Sequence, residues 1–282
     1  KPRINLALQG GGAHGAFTWG VLDRLLESEA VDIAAISGTS AGALNGAALK
    51  AGFARKGGNA QAARDNLDWL WEQVGAINDP TMMPWLTAFS PTAISKSIEL
   101  SLPFAWSDAI GRSSSPYDSG VFYRNALRPI VERFHYDQVC ADDGPQLFIC
   151  ATNVRSGKIR VFSGADLGPD PILASACLPT LFRAIEIFDP NTNRKEAYWD
   201  GGYTGNPALF PLFAPDLPSD IVVVNINPLH REDLPTTARD IQNRVNEISF
   251  NSSLLREVRA SKFGKDLLAR GAWQPGTMKS AL

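Results

Sequence analysis

Three short segments of this sequence combine residue types that could perform acyl-transfer chemistry. The first is Gly38-Thr39-Ser40-Ala41-Gly42, a G-x-S-x-G pentapeptide between a predicted strand and a predicted helix. A serine at such a turn exposes its Oγ atom, and glycine neighbours let the flanking backbone pass close to it. The start of a helix also favours developing negative charge. Ser40 is therefore the candidate nucleophile, although the same pattern also suits a tight turn with serine as helix N-cap.

The second segment is Gly10-Gly11-Gly12-Ala13-His14-Gly15, which also joins a predicted strand to a predicted helix. Successive amide groups without bulky side chains form a concave site for an anion. The segment matches the G-x-G-x-x-G fingerprint of dinucleotide-binding folds, but that fingerprint needs an acidic residue at the end of the second strand. Ser37-Gly38-Thr39-Ser40 stands there instead. The sequence therefore favours an oxyanion hole, with amides from Gly10, Gly11, Gly12 and Ala13 as candidate donors.

A serine nucleophile needs a base, and the sequence offers two kinds of candidate. His230 is one, because the order Ser40, Asp200, His230 is that of α/β-hydrolases. His14 and His135 are further candidates, yet each of the three histidines also suits a surface or packing role. Asp200 is the other kind: it ends a predicted strand and is followed by Gly201-Gly202, which permits close approach of another loop. An aspartate before two glycines is also a common turn, so the residues alone leave the base open.

The elements that position these segments follow a strand–helix–strand–helix order. Ile4–Leu8 and Asp32–Ser37 are short apolar runs that predict buried strands, and helical spacing follows from His14 to Glu29 and from Ala41 to about Phe53. Such an order predicts parallel strands joined by right-handed crossovers. Loops after adjacent parallel strands emerge at one edge of the sheet. We therefore expect the glycine segment to face Ser40.

The rest of the chain continues the α/β pattern and shows no repeat or long linker. Thr237-Ala238-Arg239-Asp240 resembles a capping box and predicts a last helix with a stripe made of Ile241, Val245, Ile248, Ser252, Leu255 and Val258. We expect one domain over 1–282 with a C-terminal helical segment over 236–272. The other predicted elements are helices over 61–74, 121–134 and 170–177, and strands over 146–151, 158–163, 184–188, 196–199 and 221–226.

The segment 79–119 differs from its surroundings, because it is rich in proline, serine and large apolar residues without a clear period. Such a composition suits a lid or a lipid-facing insertion, and it suits a segment that completes the core equally well. The candidate substrate-contacting residues in it are Met83, Trp85, Phe89, Phe104 and Trp106.

Composition excludes several other classes of protein. The 282 residues are 44% hydrophobic and 20% charged, as in globular proteins. The net charge of −2 disfavours a nucleic-acid partner, whose phosphates require a basic surplus. Three cysteines without metal-type spacing and three histidines predict neither a disulfide scaffold nor a metal or cofactor site. Glycines interrupt the uncharged stretches 4–22 and 33–49, so no signal peptide or membrane span is predicted and a cytoplasmic location is expected.

Taken together, the segments resemble the patatin-like phospholipases. The resemblance rests on residues 8–15, on Gly38-Thr39-Ser40-Ala41-Gly42, on Asp200-Gly201-Gly202, and on Ala174-Ser175-Ala176-Cys177-Leu178-Pro179, which is similar to the A-S-x-x-x-P segment of that family. It implies a three-layer α/β/α fold with a mostly parallel central sheet. It also implies a calcium-independent lipid acyl hydrolase of the EC 3.1.1 type, with Ser40 as nucleophile, Asp200 as base and Gly10, Gly11 and Gly12 in the oxyanion loop. His14 departs from the pattern, because many members have arginine or lysine there; a charge at this position would titrate near pH ~6.5.

Three alternatives stay open at this stage. An acyltransferase would share the nucleophile and differ only in the acceptor of the acyl group. An α/β-hydrolase-like esterase would use Ser40 and His230, although its nucleophile normally follows several strands. A nucleotide-binding or interaction module would use Ser40 only as a turn. A lipid or ester is the expected partner and the sequence allows a peripheral membrane contact; the head group, chain length, activating ligand and oligomeric state are not determined.

Overall fold

The structure is a computed structural model that describes residues 1–77 and 115–271. The five candidate lid residues Met83, Trp85, Phe89, Phe104 and Trp106 lie outside the described residues. The strands are β1 (Arg3–Leu8), β2 (Asp32–Gly38), β3 (Gln146–Asn153), β4 (Ile159–Ser163), β5 (Ile185–Asp189), β6 (Arg194–Asp200) and β7 (Ile221–Val224). The α-helices are α1 (Gly15–Ser28), α2 (Ala41–Ala54), α3 (Ala60–Gly75), α4 (Arg128–Val131), α5 (Tyr136–Val139), α6 (Pro169–Ser175) and α7 (Ala238–Ala269).

The seven described strands form one mixed sheet in the order β5-β6-β3-β2-β1-β7, with β4 also paired to β3. Strands β3, β2, β1 and β7 run parallel, as the strand–helix–strand start predicts. Leu8 lies opposite Gly38, so β1 and β2 end side by side. The glycine segment and Ser40 follow these two strands and therefore leave the sheet at the same edge.

Side-chain alternation in the central strands separates two cores and produces the three layers. Leu6, Leu8 and Ile36 belong to the larger core, which also holds buried residues of α1, α2 and α3. Ala7 and Ala35 point to the other face and pack in a smaller core with residues of the 3₁₀ helix Phe210–Phe213 and of α7. Helices thus cover both sides of the sheet, and the predicted α/β/α class is confirmed.

Two predicted helices differ from the observed ones. The helix predicted over 121–134 is reduced to a 3₁₀ helix (Pro116–Phe122) and the single turn α4. Pro129 has no amide hydrogen and restricts the residue before it, so a helix cannot run through this position without losing a hydrogen bond. The helix predicted over 170–177 begins earlier, at Pro169, with Gly168 as its N-cap.

Helix α7 is unusual because its predicted stripe faces solvent. Ile241, Val245, Ile248 and Leu255 are all exposed, whereas Glu247 is buried on another face of the helix. No described helix is both long enough and apolar enough to cross a membrane.

Candidate active site

Ser40 occupies the sharp turn between β2 and α2. Its backbone has φ 54° and ψ −120°, a left-handed conformation that is strained for a residue with a side chain. Gly42 makes this turn sterically feasible, because a Cβ atom there would lie 2.1 Å from the carbonyl oxygen of Leu8. The amide of Ser40 donates to the Oγ atom of Ser175 at 2.9 Å. The turn therefore fixes the serine at the N-terminus of α2, where the helix dipole favours negative charge.

Asp200 is fully buried at the end of β6, next to this turn. Its amide donates to the carbonyl oxygen of Cys177 at 2.8 Å, and its Oδ1 atom accepts from the amide of Gly202 at 2.7 Å. Burial raises the pKa of Asp200 to about 7, while the Gly202 amide, which donates to Oδ1, and the nearby hydroxyl of Ser40 lower it. The two candidate catalytic side chains are thus brought together, and the carboxyl group can exchange a proton near neutral pH.

Strand pairing explains how residues 160 positions apart meet. Strand β2 pairs with residues 146–149 of β3 in the parallel direction, and β6 pairs with residues 151–153 of β3 in the antiparallel direction. The carboxyl ends of β2 and β6 therefore approach each other beside the middle of β3. Gly201 follows directly, and a Cβ atom there would lie 2.2 Å from the carbonyl oxygen of Cys150. The glycine after Asp200 is what lets its loop pack against β3.

The glycine segment lies against Ser40. A Cβ atom on Gly10 would lie 2.7 Å from the Cβ atom of Ser40. Gly10 itself donates its amide to the Oδ1 atom of Asn206 at 2.7 Å, so this amide is already used within the protein. Among the described residues, the amides of Gly11, Gly12 and Ala13 have no hydrogen-bond acceptor. These three amides, unlike that of Gly10, are free to donate at this end of the sheet.

A network of amide side chains holds the glycine segment in place. Asn206 both accepts from the amide of Gly10 and donates to its carbonyl oxygen at 3.2 Å. Asn227 donates to the same carbonyl oxygen at 2.7 Å. The side chain of Gln9 accepts from the amides of Ile226 and Asn227 and donates to Asn251 of α7 at 2.8 Å. Buried backbone groups that would otherwise lack partners are thereby satisfied, which fixes the loop.

None of the three histidines takes the place that Asp200 has beside Ser40 in the described part of the chain. Burial lowers the pKa of His14, which follows the glycine segment, while the nearby Glu247 raises it and Arg231 lowers it. The pKa of His14 therefore lies below the ordinary value of 6.5 that its sequence position alone would suggest. His135 and His230 are exposed, and no hydrogen bond joins either of them to Ser40 or Asp200 in the described part of the chain. Within residues 1–77 and 115–271, no three His, Cys, Asp or Glu side chains are grouped as metal ligands would be.

The sequence profile of the patatin-like phospholipases matches residues 6–213, which include Ser40, Asp200 and the glycine segment. The chain belongs to the patatin-like phospholipase family. The match confirms the resemblance stated from the motifs. No curated protein sequence gives a significant match.

One solved structure similar to this patatin-like chain is that of VipD from Legionella pneumophila. The similarity has 15% sequence identity and a TM-score of 0.37, and it covers 72% of this chain and 46% of that one. This chain thus spans less than half the length of that structure.

Sequence reasoning missed the residues that support the patatin-like site. The alanine–serine segment was recognised as a motif, yet only the structure shows that Ser175 accepts from Ser40 and that Cys177 accepts from Asp200. Asn206 and Asn227 carried no signal beyond their positions before prolines, which mark turns.

Proposed function

We propose that this protein is a lipid acyl hydrolase that uses Ser40 and Asp200 through an acyl-enzyme intermediate. The observation that carries the proposal is the pairing of a strained serine turn with a buried carboxyl group whose pKa is about 7. A nucleophile on a strained turn and a base that titrates near the working pH are what acyl transfer by a serine requires. Membership of the patatin-like phospholipase family supports a lipid ester as the substrate class.

In the first half-reaction, the Ser40 hydroxyl attacks the ester carbonyl while its proton moves to Asp200. The carbonyl oxygen becomes negatively charged, and hydrogen bonds from the free amides of Gly11, Gly12 and Ala13 would stabilise it. Asp200 then gives the proton to the leaving alcohol as the tetrahedral intermediate collapses. The product is an acyl ester of Ser40, with Asp200 again ionised.

In the second half-reaction, water replaces the alcohol as the incoming group. Asp200 accepts a proton from the water, which attacks the acyl ester, and the proton then returns to Ser40 as the fatty acid leaves. One carboxyl group thus acts as base and acid in turn, a role that a pKa near neutrality favours. The raised pKa of Asp200 removes the main objection to an aspartate as base, which at its ordinary value would be too weak.

The proposal is tested with Ser40→Ala and Asp200→Asn variants on a soluble short-chain ester. Each is expected to lower kcat by at least ~10³-fold while near-native circular dichroism is retained. Ser28→Ala, at the exposed end of α1, is the matched control and should keep wild-type turnover. A fluorophosphonate should label Ser40 in the wild-type protein and not in Ser40→Ala. Turnover by either active-site variant close to that of the wild type would refute the dyad.

A further inference from the structure

Helix α7 presents two different faces to its surroundings. Asn251 and Phe250 are buried and point toward the site: Asn251 bonds Gln9, and the ring of Phe250 packs edge-on against Tyr203 at 5.4 Å. The outward face carries Ile241, Val245, Ile248 and Leu255, which are 47%, 53%, 54% and 46% exposed. Four large aliphatic side chains along one solvent-facing stripe are a costly arrangement for a helix without a partner.

The second half of α7 adds a strong positive charge. Its four basic residues, and Arg270 directly after the helix, are all exposed, and none of them forms an ion pair with a described residue. The four are Arg256, Arg259, Lys262 and Lys265. Asp266 is the one exposed carboxylate of this half, because Glu257 turns inward and accepts from the amides of Leu209 and Phe210. The whole chain carries a net charge of −2, so this end of the helix is a local exception.

The apolar and basic residues share one face. Positions seven apart fall at nearly the same angle on a helix, so Lys262 continues the row of Ile241, Ile248 and Leu255. Arg259 continues the row of Val245 in the same way. Phe263, which is 61% exposed, lies beside these cations. The outward face is therefore a single stripe, apolar at its start and basic with apolar side chains between the charges at its end.

The chemistry of this stripe indicates which partner it fits. Apolar side chains interleaved with lysine and arginine match the boundary between lipid acyl chains and anionic head groups, where the former insert and the latter bind phosphate. A second copy of the chain would bring no acidic residues to the cations, because the stripe itself has only Asp266. A nucleic acid would satisfy the charges but not the aliphatic side chains.

We propose that the outward face of α7 docks on an anionic membrane surface. The stripe consists of Ile241, Val245, Ile248, Leu255, Arg259, Lys262 and Phe263, with Asp266 as its one acidic residue. Because the inner face of the same helix contacts Gln9 and Tyr203, docking places the candidate active site about one helix diameter, ~10 Å, from the lipid. The benefit to catalysis rests on the proposed function, whereas the docking itself does not.

Vesicle binding tests the proposal independently of catalysis. The full chain carrying Ser40→Ala, which prevents hydrolysis, is sedimented with vesicles of phosphatidylcholine alone or mixed with phosphatidylserine. We expect binding to the mixed vesicles that is released by high salt. Arg259→Glu with Lys262→Glu should weaken this binding at least ~20-fold, since each basic residue near an anionic surface contributes severalfold to partitioning. Ile248→Ser with Leu255→Ser should weaken it as well.

The matched control is Lys158→Glu with Lys195→Glu, two exposed lysines outside α7, one in the turn before β4 and one in β6, and it should bind like the parent. When the same substitutions are made in the protein that keeps Ser40, each variant should hydrolyse a soluble ester at the wild-type rate. This result separates docking from catalysis. Equal binding to neutral and anionic vesicles, or binding unaffected by the charge reversals, would overturn the proposal. So would a lipid-free dimer that Ile248→Ser with Leu255→Ser dissociates, because the stripe would then be a protein interface.

Discussion

Asn206 brackets the backbone of Gly10 with two hydrogen bonds. Its Oδ1 atom accepts from the Gly10 amide at 2.7 Å, and its Nδ2 atom donates to the Gly10 carbonyl oxygen at 3.2 Å. The Asn206 side chain thus supplies the donor and the acceptor that a neighbouring strand would otherwise provide for the Gly10 backbone. It also fixes the glycine segment directly before the free amides of Gly11 and Gly12.

We expect Asn206→Ala to lower kcat on a soluble ester about 10- to 100-fold with a smaller change in KM. Stabilisation of a developing oxyanion acts in the transition state, so a misplaced donor affects kcat first. Steady-state kinetics and thermal unfolding measure the two effects. Asn66→Ala removes a side-chain hydrogen bond to the Ala48 carbonyl, away from the site, and is the control that should leave kcat unchanged. A loss of stability in Asn206→Ala with unchanged kcat would show a purely structural role.

The pH dependence of activity should report Asp200. Its pKa is about 7, and only the ionised carboxylate can accept the Ser40 proton. We expect kcat/KM on a neutral ester to rise with pH through about 7 and then level off. The profile of His14→Gln is the control: because burial lowers the pKa of His14, the midpoint near 7 should persist in that variant. A midpoint that stays near the ordinary aspartate value would contradict the assignment.

The same carboxyl group should make the protein less stable as the pH rises. The folded-state pKa of about 7 lies above the ordinary value of 3.8, so the folded protein holds this proton more tightly than the unfolded chain. That contribution to stability is fully present below about pH 4 and is lost as the pH rises through 7.

Asp200→Asn cannot ionise and should escape this loss. At about pH 8 we expect this variant to melt at a higher temperature than the wild type, because its free energy of unfolding is larger by a few kcal/mol, on the order of the pKa shift of Asp200. The difference should be smaller near pH 4. Thermal unfolding followed by circular dichroism at both pH values measures it. If the variant is instead less stable than the wild type at pH 8, neighbouring groups stabilise the ionised Asp200 enough to offset its burial, and the prediction fails.

The glycine at the end of the serine pentapeptide should be irreplaceable. A methyl group on Gly42 would lie 2.1 Å from the carbonyl oxygen of Leu8 in β1, a backbone atom that cannot move without shifting the strand. We expect Gly42→Ala to be strongly destabilised or insoluble. Gly20→Ala in α1 is the matched control, because a methyl group there meets nothing within 4 Å, and it should stabilise the protein by up to ~1 kcal/mol. Comparable melting temperatures for the two variants would contradict the steric argument.

Much of the fold could be predicted from the sequence because its signals are local. The apolar runs of β1 and β2, the glycines that follow them and the helical spacing of α1 and α2 are properties of short segments. The right-handed crossover then leaves one arrangement for the two loops. For the same reason the long helix α7 could be placed within a few residues. The helix predicted over 121–134 was wrong because Pro129 fits only the first turn of a helix, so that α4 begins at Arg128.

The direction of β6 could not be predicted, and the position of Asp200 depends on it. The sequence of two strands joined by a turn reveals their lengths and their alternation of side chains, but it does not reveal which neighbouring strand each of them pairs with. The face that α7 buries was equally hidden. Its aliphatic stripe is exposed, and its buried residues include the polar Glu247 and Asn251, because Arg231, Arg244 and Gln9 supply their partners.

By itself, the sequence determined the strand–loop–helix units, the family resemblance and the candidates for the nucleophile, the base and the anion-binding loop. Only the tertiary structure decided that Asp200 is buried beside Ser40, that Gly10 donates its amide to Asn206, and that α7 leaves an apolar and basic face in solvent. The physical reason is the distance along the chain over which each interaction acts. Backbone conformation is set within a few residues, whereas burial, pKa and hydrogen-bond partners depend on segments as far apart as Gly10 and Asn206, which 196 positions separate.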